Sequence, residues 1–427
     1  MIYDVIVAGA GPSGLMAAKT AAAKGLTVLL IERKQQVSVV RRACCSHFVM
    51  EEGYENEALR VADGKIVSPK NDFEVAYAGK TIDFYKKCFY SPQGNKILFA
   101  APDANPIGIK FEKEKLLQGL LRECERLGVH CMPGTGVCGA EDAGKQVAVQ
   151  VTCRGAKSEV CTKKLLIADG VNSRTAAALG FNEGRKKYLT GFVIKYTVAG
   201  YHAYEPHSWN FYFGKAYHSH AAVLVGPSFY GADTVEVTIM GGKSRMPDTI
   251  FGMVTADSPL SKRFQGVTVL DRQACSLKAC DSIKNPHKGN VLVVGDAAAY
   301  IEVEVQGALM CGYHAGNAVA RELDGHNGFT QYASWWQQSF EFNSDDYLKV
   351  AQGYALVPAY TDDELDYLFA LVGDEVLQGT FSQYTTPGLL WASILRHKDR
   401  ISAERPELYE KVKKIGEMSL SASFAGE

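Results

Sequence analysis

The hydrophobic period changes twice in the first 32 residues. Ile2 to Ala8 is a continuous apolar, β-branched run that stops at Gly9, the pattern of a parallel strand buried on both faces. Leu15 to Lys24 is Ala-rich and closes at Gly25, which predicts a helix with a glycine stop. Thr27 to Ile31 predicts a second strand, ending in Glu32. The same alternation returns later. Leu165 to Ser173 reads as a strand ending in Asp169-Gly170, followed by helical Arg174 to Leu179. Asn290 to Ala298 reads as a buried strand ending in Gly295-Asp296, followed by a helix over Gly307 to Leu323. Leu116, Leu117, Leu120, Leu121 and Cys124 keep helical spacing up to Gly128, and Thr361-Asp362-Asp363-Glu364 is a capping box before Leu365, Leu368, Phe369 and Val372. Strands alternating with helices predict an α/β fold with a parallel sheet.

Between the first strand and helix lies Gly9-Ala10-Gly11-Pro12-Ser13-Gly14, a G-x-G-x-x-G. Gly9 permits the tight turn, Gly11 lets backbone approach a pyrophosphate, and Gly14 lets helix and strand pack closely. The helix N-terminus favours the phosphate charge. Glu32 closes the second strand, where a carboxylate accepts from a ribose hydroxyl, and Arg33 beside it joins the candidate binding residues. Strand, glycines, helix, strand and acid in this order predict dinucleotide binding.

Composition narrows the classes. The 427 residues are 47% hydrophobic and 22% charged, which excludes disordered and collagen-like chains. A net charge of -1 supplies no field for nucleic acid or anionic lipid. No apolar run reaches 18 residues, and the chain enters its first strand without a basic leader, so a cytoplasmic protein is expected. Eleven Cys without repeated short spacing read as reduced thiols, and no metal site is expected. Neither G-x-S-x-G nor a P-loop occurs.

The glycine loop together with the late D-G and G-D segments resembles the p-hydroxybenzoate hydroxylase-like flavoprotein fold. Within it the chain is similar to the geranylgeranyl reductase family, through its start, the segment Arg41-Arg42-Ala43-Cys44-Cys45, both acidic motifs and the C-terminal helices. The resemblance implies FAD, with Asp296 on the ribityl chain, Val137 near the adenine, Arg42 and Cys44 beside the flavin, and Asp169 near the pyrophosphate or the entry of a reductant. Gly295 and Gly307 belong to the same expected binding set. Two departures stand out. After the G-D motif the family's Pro and G-x-G are replaced by Tyr300-Ile301-Glu302-Val303-Glu304-Val305-Gln306-Gly307, and the family's aromatic substrate signature is missing from Ala222 to Pro227. Trp209, Phe211 and Phe213 instead share one strand face, an arrangement of core or of pocket wall.

The expected organisation is a discontinuous Rossmann-type FAD domain (1–63, 99–186 and 271–326), a β-rich inserted substrate domain (64–98 and 187–270) and a C-terminal helical region (327–427). The activity this implies is FAD-dependent reduction of a C=C or related unsaturated bond in an apolar, isoprenoid-type substrate, with NAD(P)H or ferredoxin as external reductant. A protein electron donor and contact of the C-terminal helices with a membrane surface are compatible with it. An aromatic monooxygenase and an electron-transfer flavoprotein are the alternatives. Alkene reduction leaves a carbanion-like centre that needs a proton, and Cys44, Cys45, Glu302 and Glu304 are the candidate donors. The two acids are either solvated in a loop or, if buried, raised in pKa far enough to serve.

Overall fold

Four parallel strands end at one edge of the main sheet and carry the site there. In the computed structural model, which describes residues 2–50, 59–101, 103, 105–243, 245–344, 356–379, 381–383 and 385–414, strand Ile2–Ala8 pairs on one side with Val28–Glu32 and on the other with Ala156–Ile167. His130–Pro133 extends the sheet beyond Val28–Glu32, with Pro133 opposite Glu32. The long strand Ala156–Ile167 forks. Its first half pairs antiparallel with Val147–Cys153 and its last three residues pair in parallel with Val291–Val293. Backbone bonds stitch the ends together: Gly9 N–H to Ile31 O, Ala168 N–H to Ala8 O and Val294 N–H to Ile167 O, each 2.8 Å. Gly9, Glu32, Asp169 and Gly295-Asp296 therefore emerge at the carboxyl edge, where open α/β sheets bind ligands.

The first helix, Pro12–Ala23, starts three residues before the expected Leu15, because proline at the first helical position loses no hydrogen bond. The helix Glu304–Leu323 crosses it at close range. A Cβ on Gly312 would stand 2.3 Å from Ser13 O and 2.7 Å from Met16 Cβ, and one on Gly316 would stand 2.5 Å from Thr20 Cβ.

A second eight-stranded sheet forms the substrate side, in the order Thr268–Cys280, Lys187–Ala199, Thr234–Gly241, Val223–Pro227, Ser208–Tyr212, Lys86–Tyr90, Lys96–Ala100 and Val376–Gln378. Three expectations change here. The boundary drawn at Asp271 falls inside Thr268–Cys280, which pairs along most of Lys187–Ala199, and the boundary at Phe99 falls inside Lys96–Ala100. The C-terminal region is also not purely helical, since Val376–Gln378 adds a parallel edge strand to Lys96–Ala100. Three residues are too few for a readable alternation. Residues 51–58 of the first expected FAD segment, and 345–355 and 415–427 of the expected helical region, lie outside the described residues.

The C-terminal helices dock on this sheet. Phe211 and Phe213 share a buried cluster with Tyr360, Leu365, Leu368, Phe369, Leu390 and Trp391. The capping box forms: Glu364 N–H donates to Thr361 Oγ1 at 3.2 Å and Thr361 N–H to Glu364 Oε2 at 2.8 Å. A smaller sheet of Thr81–Phe84, Gly108–Phe111 and His47–Val49 lies between the two large ones in the chain path and sets His47 opposite Lys110. Because Gly312 faces backbone rather than a flexible side chain, Gly312→Val is expected to destabilise the apoprotein by about 1–3 kcal/mol through overpacking. Chemical denaturation measures this, and an unchanged midpoint would mean that the two helices do not meet so closely.

Candidate functional site

The glycine loop is shaped by contacts that leave no room for side chains at two of its glycines and open space at the third. Gly9 adopts φ +101°, and its Cβ would stand 2.4 Å from Ala168 O. A Cβ on Gly14 would stand 1.8 Å from Gly9 O. Gly11, at φ -75°, has nothing within 4 Å of its Cβ position, so the loop presents bare backbone there at the start of the helix. The buried Glu32 carboxylate takes Ala10 N–H on one oxygen and Lys34 N–H on the other, both at 2.8 Å, which ties the second strand to the loop and leaves lone pairs for a further donor. Arg33 is exposed beside it. Val137, half-buried, follows two residues after Thr135 on the strand Thr135–Asp142. These features fit a dinucleotide: a turn without side chains at the helix N-terminus, and a carboxylate at the end of the second strand.

The G-D segment faces the loop from the other side. Gly295 sits at φ +67°, and its Cβ would stand 2.4 Å from Ser13 Oγ. Asp296 accepts Val303 N–H at 2.9 Å, which starts the helix at Glu304 rather than at the expected Gly307. Glu304 itself holds φ +55°, a conformation that costs a non-glycine residue about 1 kcal/mol or more. Burial pushes the Asp296 carboxyl up against the pull of the Val303 N–H. Burial, then neighbouring Asp296, raises Glu302, and burial together with Glu302 raises Glu304 to about 8. Glu302 keeps accessible surface while protein crowds it on several sides, and the crowding governs its proton affinity. Gly307 is buried one turn into the helix. Asp169, at the end of its strand, accepts from the Thr175 hydroxyl at 3.0 Å, and burial raises it too.

The thiol segment closes a third side. Arg42 donates to Ser276 O at 3.2 Å and lies within the field of Cys275, Asp296 and Glu302. Burial works to raise Cys44, but the Lys113 ammonium, 3.2 Å from its sulfur, together with the Ser46 hydrogen bond and Lys195, holds the thiol below its usual range. Burial, reinforced by Cys44, pushes Cys45 strongly upward. Behind the thiols lie five residues that the sequence does not mark as candidates. Lys110 and Lys195 share Glu236 at 2.7 and 3.1 Å, all three side chains nearly buried, and Lys195 also donates to Cys44 O at 3.2 Å. Next to Lys110 in the register, His47 is buried among Phe84, Trp209 and Phe381 with ring centroids 4.9, 4.3 and 5.2 Å away. Burial, then Lys110, Lys195 and Lys87, hold its imidazole neutral. Gln306 accepts Val49 N–H at 3.0 Å. The lysines sit in strands whose local pattern gives no sign that they are buried. His47 follows the thiols closely enough to have been noticed.

Residues 2–304 match the family model described as an FAD binding domain. The chain belongs to the FAD-binding domain family. It is 27% identical over 324 residues to the digeranylgeranylglycerophospholipid reductase of Methanosarcina acetivorans, covering 74% of this chain and 73% of that protein. With the enzyme of the same name from Methanocaldococcus jannaschii it shares 23% identity over 383 residues, 88% of this chain and 92% of the other. The solved structure of a geranylgeranyl bacteriochlorophyll reductase-like protein from Thermoplasma acidophilum superposes with a TM-score of 0.71 at 19% identity, covering 97% of this chain and 99% of that one. The chain thus carries an FAD-binding domain and is similar over most of its length to proteins named as reductases of the geranylgeranyl type.

FAD is thus the group for which the glycine loop, Glu32 and Asp296 are suited. Gly11→Leu tests the loop. The open space and ordinary φ at Gly11 predict an apoprotein within about 0.5 kcal/mol of the parent, the range of surface changes. Flavin absorbance after purification and FAD-dependent fluorescence quenching are expected to be lost. Normal FAD binding by this variant would place the pyrophosphate elsewhere.

Proposed function

We propose that this reductase hydrogenates a C=C bond of an apolar, isoprenoid-type substrate, and that Glu304 delivers the proton. The observation that carries the chemical part is Glu304 itself: a carboxyl group at the start of the helix after the G-D motif, raised by burial and by Glu302 to about 8, carries its proton at neutral pH. General acids work best when their pKa lies near the working pH. Cys44 is a poorer donor because Lys113 favours its thiolate, and Cys45 is poorer because burial makes it hold its proton too firmly. The substrate class rests on the named activity of the methanogen relatives, with which the chain shares most of its length.

When bound and reduced, FAD supplies the hydride. The protein's part is to hold the cofactor at the glycine loop and at Asp296, to shield the reacting carbon from water, and to release the proton from Glu304 Oε. Glu302, crowded beside it, disfavours a second negative charge and so keeps that proton in place until it is needed. The Lys110–Glu236–Lys195 group supports the thiol segment from behind and adds positive charge near Cys44 and Cys45. The external reductant proposed is NAD(P)H or reduced ferredoxin, and the setting is the cytoplasm. Eleven cysteines, none of them disulfide-bonded among the described residues, suit a reducing compartment. Among the described residues no helix is long and apolar enough to cross a membrane.

Two experiments test this reading. Anaerobic incubation of the FAD-loaded protein with dithionite and a digeranylgeranylglycerophospholipid should give products heavier by two hydrogen atoms per reduced bond in mass spectra. Products gaining an oxygen atom, formed only in air, would overturn it in favour of a monooxygenase. Glu304→Gln should slow substrate-dependent reoxidation by about 100- to 10,000-fold while sparing flavin reduction. In the parent protein that rate should be full below about pH 8 and fall as pH rises through it, because the donor must be protonated. A loss of less than about 3-fold, well under the range for a general acid, would remove Glu304 from the role.

A further inference from the structure

Lys87 lies on strand Lys86–Tyr90 with 1% of its surface exposed, paired with Phe99 on one side and Trp209 on the other. A buried ammonium is costly unless protein groups replace its water. Here the Thr386 hydroxyl accepts from Nζ at 2.7 Å and Phe381 O at 3.3 Å, and the rings of Phe89, Phe211 and Phe381 stand 5.6, 5.4 and 5.9 Å from the charge. Both oxygens belong to the C-terminal region, almost 300 residues further along the chain. A leucine or methionine would fill the same core, so it is the charge that needs an explanation.

What the charge holds leads to the acids. Thr386 Oγ1 also donates to Ser382 O at 2.5 Å. Phe381 is packed against Phe84 and Trp209, each 5.0 Å between centroids, and against His47. Between these fixed points Gln383 Nε2 comes within 3.5 Å of Glu302 Oε1, and Glu302 is two residues from Glu304. The substrate sheet, the C-terminal region and the loop carboxylates are thereby connected through one lysine.

We propose that Lys87 is a positioning residue. Its ammonium ties Phe381, Ser382 and Thr386 to the substrate sheet so that Gln383 stays on Glu302, and the Glu302–Glu304 pair is held where Glu304 keeps and delivers its proton. This rests on the reading of Glu304 as the donor. The groups acting on Glu304 are Glu302 beside it, Cys44 from the thiol segment, Lys87 from the substrate sheet and Gln383 from the C-terminal region, while Asp296, Arg42 and Lys113 from helix Lys113–Arg126 act on Glu302. Of these, Lys87 acts on Glu304 both through its charge, which draws the acid downward, and through the residues it ties. Losing it should leave Glu304 titrating higher.

The test uses the full-length, FAD-loaded protein and Lys87→Met, with two readouts. Hydrogen exchange followed by mass spectrometry should show faster exchange across residues 376–386 and unchanged exchange across the first helix. Anaerobic reoxidation by substrate should be about tenfold slower in kcat at neutral pH, a loss of transition-state positioning, with its alkaline limb displaced upward. Gln383→Leu should reproduce the displaced limb, and Lys87→Arg should restore most of the parent behaviour. If Lys87→Met fails to fold, Thr386→Val is read in its place by the same measurements. Unchanged exchange overturns the tie, and faster exchange with an unmoved limb overturns its connection to the acid. A parent profile without a limb near pH 8 instead overturns Glu304 as donor, and the exchange data alone then decide the tie.

Discussion

Gly312 and Gly316 let the helix Glu304–Leu323 lie against the backbone of the first helix, and most of the site depends on this contact. The first helix begins at the glycine loop, and its partner begins at Glu304, so the packing of the two decides where the loop stands relative to the acids. Ser13 lies where the arrangement is tightest, beside Gly312 through its carbonyl and beside Gly295 through its hydroxyl. A side chain on either glycine would push the G-D segment away from the glycine loop. Since protein interiors are close-packed, such a shift would pass to the elements around it rather than be absorbed locally.

Charge is the second constraint. Asp296, Glu302 and Glu304 crowd one loop, and burial works against ionising all three. Cations answer them from separate elements: Arg42 and Lys113 near Glu302, and Lys87 near Glu304. The thiols are divided in the same manner. Cys44 lies against Lys113 and is drawn toward thiolate, whereas adjacent Cys45 is driven the other way by burial and by Cys44 itself. Neighbouring groups of one chemical type thus hold their protons with different strength, the arrangement from which acid and base roles are made.

The dinucleotide half was legible because its signals are local. A buried strand, three glycines and an Ala-rich helix follow one another within 25 residues, and each has a physical reason to be where it is. Asp296 was legible for the same reason, standing at the end of an apolar run. The helix start was misplaced because the bond from Val303 N–H to Asp296 does not show in hydrophobic period. Buried lysines were not legible at all. Lys110 and Glu236 are separated by 126 residues and Lys87 and Thr386 by 299, and a lysine in a short strand ordinarily marks its solvent face. The segment boundaries at Phe99 and Asp271 failed because strands of the substrate sheet run on past them.

Reduced flavin in this site is proposed to pass its electrons to an alkene rather than to oxygen. Stopped-flow mixing of the photoreduced holoprotein with an isoprenoid lipid without oxygen, and separately with oxygenated buffer without lipid, measures both reactions by the return of flavin absorbance. Rapid return with the lipid and slow return with oxygen, without a flavin hydroperoxide absorbance, is the predicted result. Rapid reaction with oxygen through a hydroperoxide, with the lipid inert in its absence, would contradict it.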